Sequence, residues 1–155
     1  MDTIEKLEII EEISNLKARY ARFADEKRWD DLAQLFTPDG SMEFFDVAGN
    51  LTSKRQGREE IQDTIGGNVG SAQPIHHLFS REIEVISPTN ARAIWAMEDL
   101  IIFPEGDTAK YQMMHGFGHY HETYVNVDGK WFINTVKLTR TRMEFTYAAD
   151  KEGKK

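Results

Sequence analysis

The second half of the chain is a run of strand-like segments closed by turn signals, and this run constrains the fold more than any other feature. Residues 75–87 end at SPTN, 90–103 at PEGD, and 109–127 at VDGK. Asp128-Gly129 within the last of these is a strong hairpin signal. A final strand extends from Trp131 to about Phe145. Strands joined in succession by such short turns pair antiparallel.

The first half is written with a different period. Ile4, Leu7, Ile10, Ile13, Leu16, Tyr20 and Phe23 recur every three or four residues. That spacing predicts one apolar stripe on a helix running to about residue 26. Asp2 and Glu5 form a capping-box pattern at its start. A short helix follows from Trp29, buried through Leu32, Leu35 and Phe36, and TPDG is expected to end it in a turn. SMEFFDV and LTSKRQ, joined by AGN, read as a hairpin over residues 41–56. GREEIQDTIGG then reads as a helix with acidic residues in its first turn and glycines after its last. Helices first and antiparallel strands after predict an α+β fold, with helices on one face of a long curved sheet. Gly116 and Gly118 are expected to permit the bend in the third long strand.

Composition narrows the possible functions. At 155 residues the chain fits one domain. We expect that domain to span residues 1–147, with 148–155 (AADKEGKK) a frayed tail. A net charge of −7 argues against nucleic-acid or anionic-membrane partners, which reward a basic face. The absence of cysteine removes disulfides, thiolate catalysis and cysteine-based zinc sites. The acidic start MDTIEKLEII has no signal-peptide pattern, and no apolar run approaches the ~18 residues of a membrane span. A cytoplasmic location is expected.

Five histidines fall in two clusters. In MMHGFGHYHETY, strand alternation points His115, Phe117, His119 and His121 one way, and Gly116, Gly118, Tyr120, Glu122 and Tyr124 the other. His-x-His on a strand could begin a metal site, but Glu122, the acid that would complete it, faces away. We expect no metal, and a pocket wall carrying His115 and His119 instead. In PIHHLFS, His76 and His77 face opposite sides, so one can enter a pocket and serve as a general base once a neighbour fixes its tautomer. In RYARFAD, Tyr20 lies on the apolar stripe and Asp25 is five residues on. An acid at a helix C-terminus is disfavoured by the macrodipole, so its placement invites a reason. In WAMEDLIIF, one of Glu98 and Asp99 must face inward, where a carboxylate needs a partner. TRTR places Arg140 and Arg142 on one strand face, suited to a substrate carboxylate or to solvent.

The segments RYARFADEKRWDDLAQLFTPDGSMEF, GREEI, IWAMED and HGFGHYHETY resemble the SnoaL-like branch of the nuclear-transport-factor-2-like superfamily, whose members include scytalone dehydratase and bile-acid 7α-dehydratase. The resemblance covers nearly the whole chain. It implies a cone-shaped α+β fold, with N-terminal helices packed on a strongly curved mixed or antiparallel sheet that encloses a pocket. It also implies that Tyr20, Asp25, a histidine (His76 or His77) and Asp99 form a catalytic set, with His115 a looser match. Arg140 or Arg142 would position substrate, with Phe117, His119 and Trp95 as further contacts. The family segment often carries another histidine where this chain has Phe79. The expected function is a dehydratase needing no cofactor, acting on an apolar hydroxy-carbonyl compound such as a steroid, terpenoid or polyketide. An isomerase, a cyclase or a binding module without chemistry are the alternatives. Self-association as a dimer or trimer is expected.

Overall fold

The computed structural model describes residues 1–106 and 110–148, apart from the side chains of residues 64, 65 and 68. Helix α1 spans Thr3–Asp25, α2 Trp29–Gln34 and α3 Arg58–Val69. Strands are β1 Phe36–Phe45, β2 Leu51–Gln56, β3 Gln73–Ser87, β4 Asn90–Ile102, β5 Tyr111–Val127 and β6 Lys130–Tyr147. They form one sheet in the order β2-β1-β6-β5-β4-β3. Every neighbouring pair is antiparallel except β1 and β6, which run parallel, so the sheet is mixed. It is an open sheet, its edges formed by β2 and β3. No helix among the described residues is long and apolar enough to cross a membrane. The expected tail falls, beyond Ala148, outside the described residues, as does the end of the PEGD turn at residues 107–109.

Local chemistry accounts for the boundaries. The capping box forms: Asp2 Oδ1 accepts from the Glu5 amide at 2.9 Å, and Glu5 Oε2 accepts from the Asp2 amide at 2.7 Å. The helix stops where Lys27 takes a left-handed φ of 56°. Asp128 and Gly129, at φ 52° and 84°, make the β5–β6 hairpin turn.

TPDG is not the turn expected from its composition. Thr37–Gly40 is the first half of β1. The pairing of β1 with β6 is irregular between Phe36 and Ser41, and Pro38 sits in that irregular stretch, where its missing N–H breaks no ladder.

The core lies between the helices and the inner sheet face. Ile13, Leu16 and Tyr20 of α1 pack there with Trp95, Tyr120 and Leu138. Each such side chain contributes about 1.5–3 kcal/mol on burial. The stripe on α1 does not stay buried along its length, because Ile4 and Leu7 are exposed.

Candidate active site

Strand alternation fixes which residues reach the inner face. On β5, the buried residues are Gly116, Gly118, Tyr120, Glu122 and Tyr124. The histidine set, His115, Phe117, His119 and His121, therefore lies on the outer face. The expected pocket wall of His115 and His119 does not form, since neither lines the inner cavity. The alternation is as read, but the assignment of faces is reversed.

A cavity of about 200 Å³ opens on the inner side between the end of α1 and the sheet. Trp29, Leu32, Phe44, Ile101 and Leu138 supply apolar wall. Its polar groups are Tyr20, His76, Tyr120, Asp99, Arg140 and Arg55. Four other hollows are larger, about 360, 410, 570 and 720 Å³, and none of them brings a histidine and a carboxylate together as a hydrogen-bonded pair.

Asp25 reaches this cavity through His76. Its Oδ1 is 2.7 Å from His76 Nδ1 and also accepts the His76 backbone N–H at 2.9 Å. Gln73 Nε2 donates to the Asp25 carbonyl oxygen at 2.8 Å, tying the helix end to β3. These bonds are the reason for an acid at an unfavourable helix terminus. With Nδ1–H donated to the carboxylate, His76 presents Nε2 as its free, basic nitrogen. The His76 side chain is 16% exposed, enough to meet a ligand.

Tyr20 and Tyr120 stand edge-to-face, with ring centroids 5.9 Å apart. Burial, and then the charge on Glu122, hold the Tyr20 hydroxyl well above its usual pKa, against a hydrogen bond with Tyr120 that works the other way. Burial, followed by Tyr20 and Asp99, does the same to Tyr120. Both phenols therefore stay protonated and can donate.

Asp99 and Arg140 form a two-pronged pair, Nη1–Oδ1 2.5 Å and Nη2–Oδ2 2.9 Å. Burial opposes the charge on Arg140, but the hydrogen bonds and charge of Asp99 together more than offset it. Both Asp99 oxygens are engaged, so this residue anchors Arg140 and is badly placed to hand a proton to a leaving group.

Arg140 and Arg142 do not share a face. Gly118 pairs with Arg140 and Phe117 with Arg142, so β6 carries an extra residue, Thr141, between them. The bulge turns Arg140 inward and leaves Arg142 outside, where its Nε bonds Glu144 at 2.6 Å. Gly118 is required at this bulge. A methyl group there would overlap the Thr139 carbonyl oxygen and lie 3.0 Å from its carbon. Gly116 leaves room for the ion pair, since a methyl there would sit 2.6 Å from Asp99 Oδ1 and closer still to Arg140 Nη1. Gly116→Ala is accordingly expected to displace the pair and cost about 1–3 kcal/mol, as overpacking does. Urea denaturation measures this, and an unchanged midpoint would refute the packing argument.

The structure separates other expected site residues from the cavity. His77 lies on the outer side, with Nδ1 3.0 Å from Glu98 Oε1, and His115 Nε2 lies 2.9 Å from Glu98 Oε2. Those two bonds, first from His77 and then from His115, lower the pKa of Glu98. Phe117 stacks on His115, with centroids 4.3 Å apart. His119 and His121 have ring centroids 6.4 Å apart on the same outer face. Trp95 is a core residue whose Nε1 donates to the Tyr124 hydroxyl at 2.9 Å. Among the described residues, no group of three or more His, Cys, Asp or Glu is arranged to hold a metal ion.

Sequence reasoning missed Tyr120, Arg55 and the network beneath the tyrosines. Lys17 and Glu122, both wholly enclosed side chains, form an ion pair. The Lys17 ammonium lies 3.7 Å from the Tyr20 ring centroid and 3.6 Å from that of Tyr120. The second oxygen of Glu122 accepts the Tyr124 hydroxyl. Burial pulls Lys17 below its ordinary pKa, against the attraction of Glu122. A signal was present, because Lys17 interrupts the apolar stripe between Leu16 and Tyr20.

Comparison with known proteins gives a consistent picture. FGR4 of Gibberella zeae, named a probable cyclase, is 29% identical over 136 residues, covering 83% of this chain and 88% of that protein. Among solved structures, a scytalone dehydratase-like protein from Novosphingobium aromaticivorans superposes with a TM-score of 0.79 at 21% identity, covering 96% of this chain and 94% of that one. The hexachlorocyclohexane dehydrochlorinase LinA-type3 from Novosphingobium barchaimii gives 0.75 at 19%, with 96% of each chain covered. At these identities the structural likeness establishes the fold, the cone-shaped α+β architecture of nuclear-transport-factor-2-like proteins. The SnoaL-like domain model matches residues 5–137, most of the chain, and the protein therefore belongs to the SnoaL-like family.

Proposed function

We propose that this protein is a lyase, a dehydratase in which His76 acts as general base on an apolar hydroxy-carbonyl compound such as a steroid, terpenoid or polyketide. One observation carries the reading. An imidazole is held by a carboxylate at 2.7 Å, with its other nitrogen free, on the wall of a largely apolar cavity. In this reading His76 Nε2 takes a proton from the carbon next to the carbonyl. Asp25 stabilises the imidazolium that forms. Tyr120 supports Tyr20, whose hydroxyl donates to the carbonyl oxygen as enolate charge develops. The electron pair then forms the carbon–carbon double bond as the β-hydroxyl departs. Protonated His76 returns its proton to that hydroxyl, so one water leaves and the base is regenerated. These steps draw only on side chains of the chain.

The test is a panel of β-hydroxy ketones on apolar ring systems, incubated with protein and followed by mass. Loss of one water that disappears in His76→Ala supports the proposal. Absence of water loss across the panel counts against it. The cyclase name of FGR4 favours a second reading, ring closure or isomerisation in the same cavity, which that assay would register as a changed product of unchanged mass. We also infer self-association as a dimer or trimer, supported by the exposed Phe79, Phe145 and Tyr147. Light scattering at the monomer mass would contradict that inference.

A further inference from the structure

We infer that the substrate carries an anionic group, a carboxylate on the apolar ring system, and that Arg55 binds it. This rests on the cavity being the substrate site and adds to it the class of ligand.

The charges around the cavity lead to Arg55. Arg140 gives one N–H from each terminal nitrogen to Asp99, so a carboxylate already compensates its charge. The Asp25 oxygen that faces β3 is occupied by the ring and the backbone of His76. Arg55 differs from both. It lines the cavity from β2, yet among the described residues it forms no ion pair with any carboxylate. Its Nη1 donates to the Lys54 carbonyl oxygen at 2.7 Å, a bond to its own neighbour in the chain. Its Nε is buried and has no hydrogen-bond partner. Buried donors without partners are rare, and a guanidinium is the side chain best suited to a planar carboxylate.

A second atom points the same way. Ser53 Oγ is also buried without a partner, and these two are the only such side-chain atoms among the described residues. They sit two apart on β2 and so share a face. Ser53 pairs with Phe44, itself a wall of the cavity, and Arg55 pairs with Met42. A hydroxyl and a guanidinium on one face can together satisfy both oxygens of a carboxylate.

The topology gives this an orientation. β2 and β3 are the two edges of the sheet, yet Arg55 and His76 line one cavity. A bound molecule would reach from the base on one edge strand to the guanidinium on the other. Arg55 would thus hold the end of the substrate remote from the reacting carbon and fix which carbon meets His76.

The test is binding, so it does not depend on turnover. The probes are 2-naphthoate and its neutral counterpart 2-naphthamide, titrated by calorimetry against wild type, Arg55→Met and Arg55→Lys. Wild type should prefer naphthoate over the amide by at least about tenfold, as a hydrogen bond to a charged group does. Arg55→Met should abolish the preference while retaining the amide, Arg55→Lys should restore part of it, and added salt should weaken naphthoate alone. A wild type that does not discriminate, or binds neither probe, overturns the inference. So does a preference that survives Arg55→Met, or an equal loss of both probes in that variant, which would mark a packing role. If the panel above shows no water loss while the naphthoate preference holds, the lyase reading fails and the anion site stands.

Discussion

His76→Ala is expected to lower turnover by about 10²–10⁴-fold, the contribution of a positioned general base, while His77→Ala leaves it essentially unchanged. The two residues are neighbours of identical chemistry, so the contrast isolates position. His76 faces the cavity and Asp25, whereas His77 faces out and pairs with Glu98. Asp25→Asn keeps the shape and can still accept the His76 backbone N–H, but it removes the charge that stabilises an imidazolium. It should lower turnover to a similar order, as replacing the orienting acid of a hydrolase triad does. The measurement is initial rate on whichever panel compound loses water, with unfolding midpoints to confirm that the variants fold. Activity retained in His76→Ala but lost in His77→Ala would reverse the assignment of faces and with it the mechanism.

The same pair shows what the sequence could and could not reveal. Alternation established that His76 and His77 oppose each other, and the five-residue interval made Tyr20 and Asp25 candidates. Only the register decides which face is inner: His76 opposes Asp99 and His77 opposes Glu98. On β5 the sequence misleads for a physical reason. The buried set contains Glu122 and two tyrosines, while the half-buried outer set contains Phe117, so hydrophobicity alone gives no correct answer. The buried acid is tolerated because its partner is 105 residues earlier in the chain, on a helix, and no local pattern can show that. The two arginines were misplaced for a related reason. Strict alternation puts Arg140 and Arg142 on one side, and one extra residue in β6 separates them. The strand boundaries were legible because Asp-Gly and similar short turns act locally, while TPDG was not, since the residues on either side of it, Phe36 and Ser41, pair with β6, far along the chain.

Lys17→Met is expected to destabilise the protein by about 3–5 kcal/mol, the cost of leaving one member of a buried ion pair without its partner. The side chains of Lys17 and Glu122 are both fully enclosed. Removing the ammonium leaves a carboxylate whose other contact is the Tyr124 hydroxyl, which can offset only part of the charge. Glu122→Met should cost about as much, because it strands an ammonium between two tyrosine rings. The double variant should be more stable than either single variant, since matched apolar side chains remove both desolvation costs together. Urea denaturation of the four proteins gives the coupling energy directly, and two single variants that each lose less than about 1 kcal/mol would show that the pair is not held in a dry core. Rate should not follow stability in this cycle. Lys17 packs on the faces of Tyr20 and Tyr120, and Glu122 fixes Lys17, so the pair sets where two cavity hydroxyls point. A double variant that regains stability but remains slower than wild type would assign the pair to positioning. Full recovery of both would leave it a purely structural feature of the core.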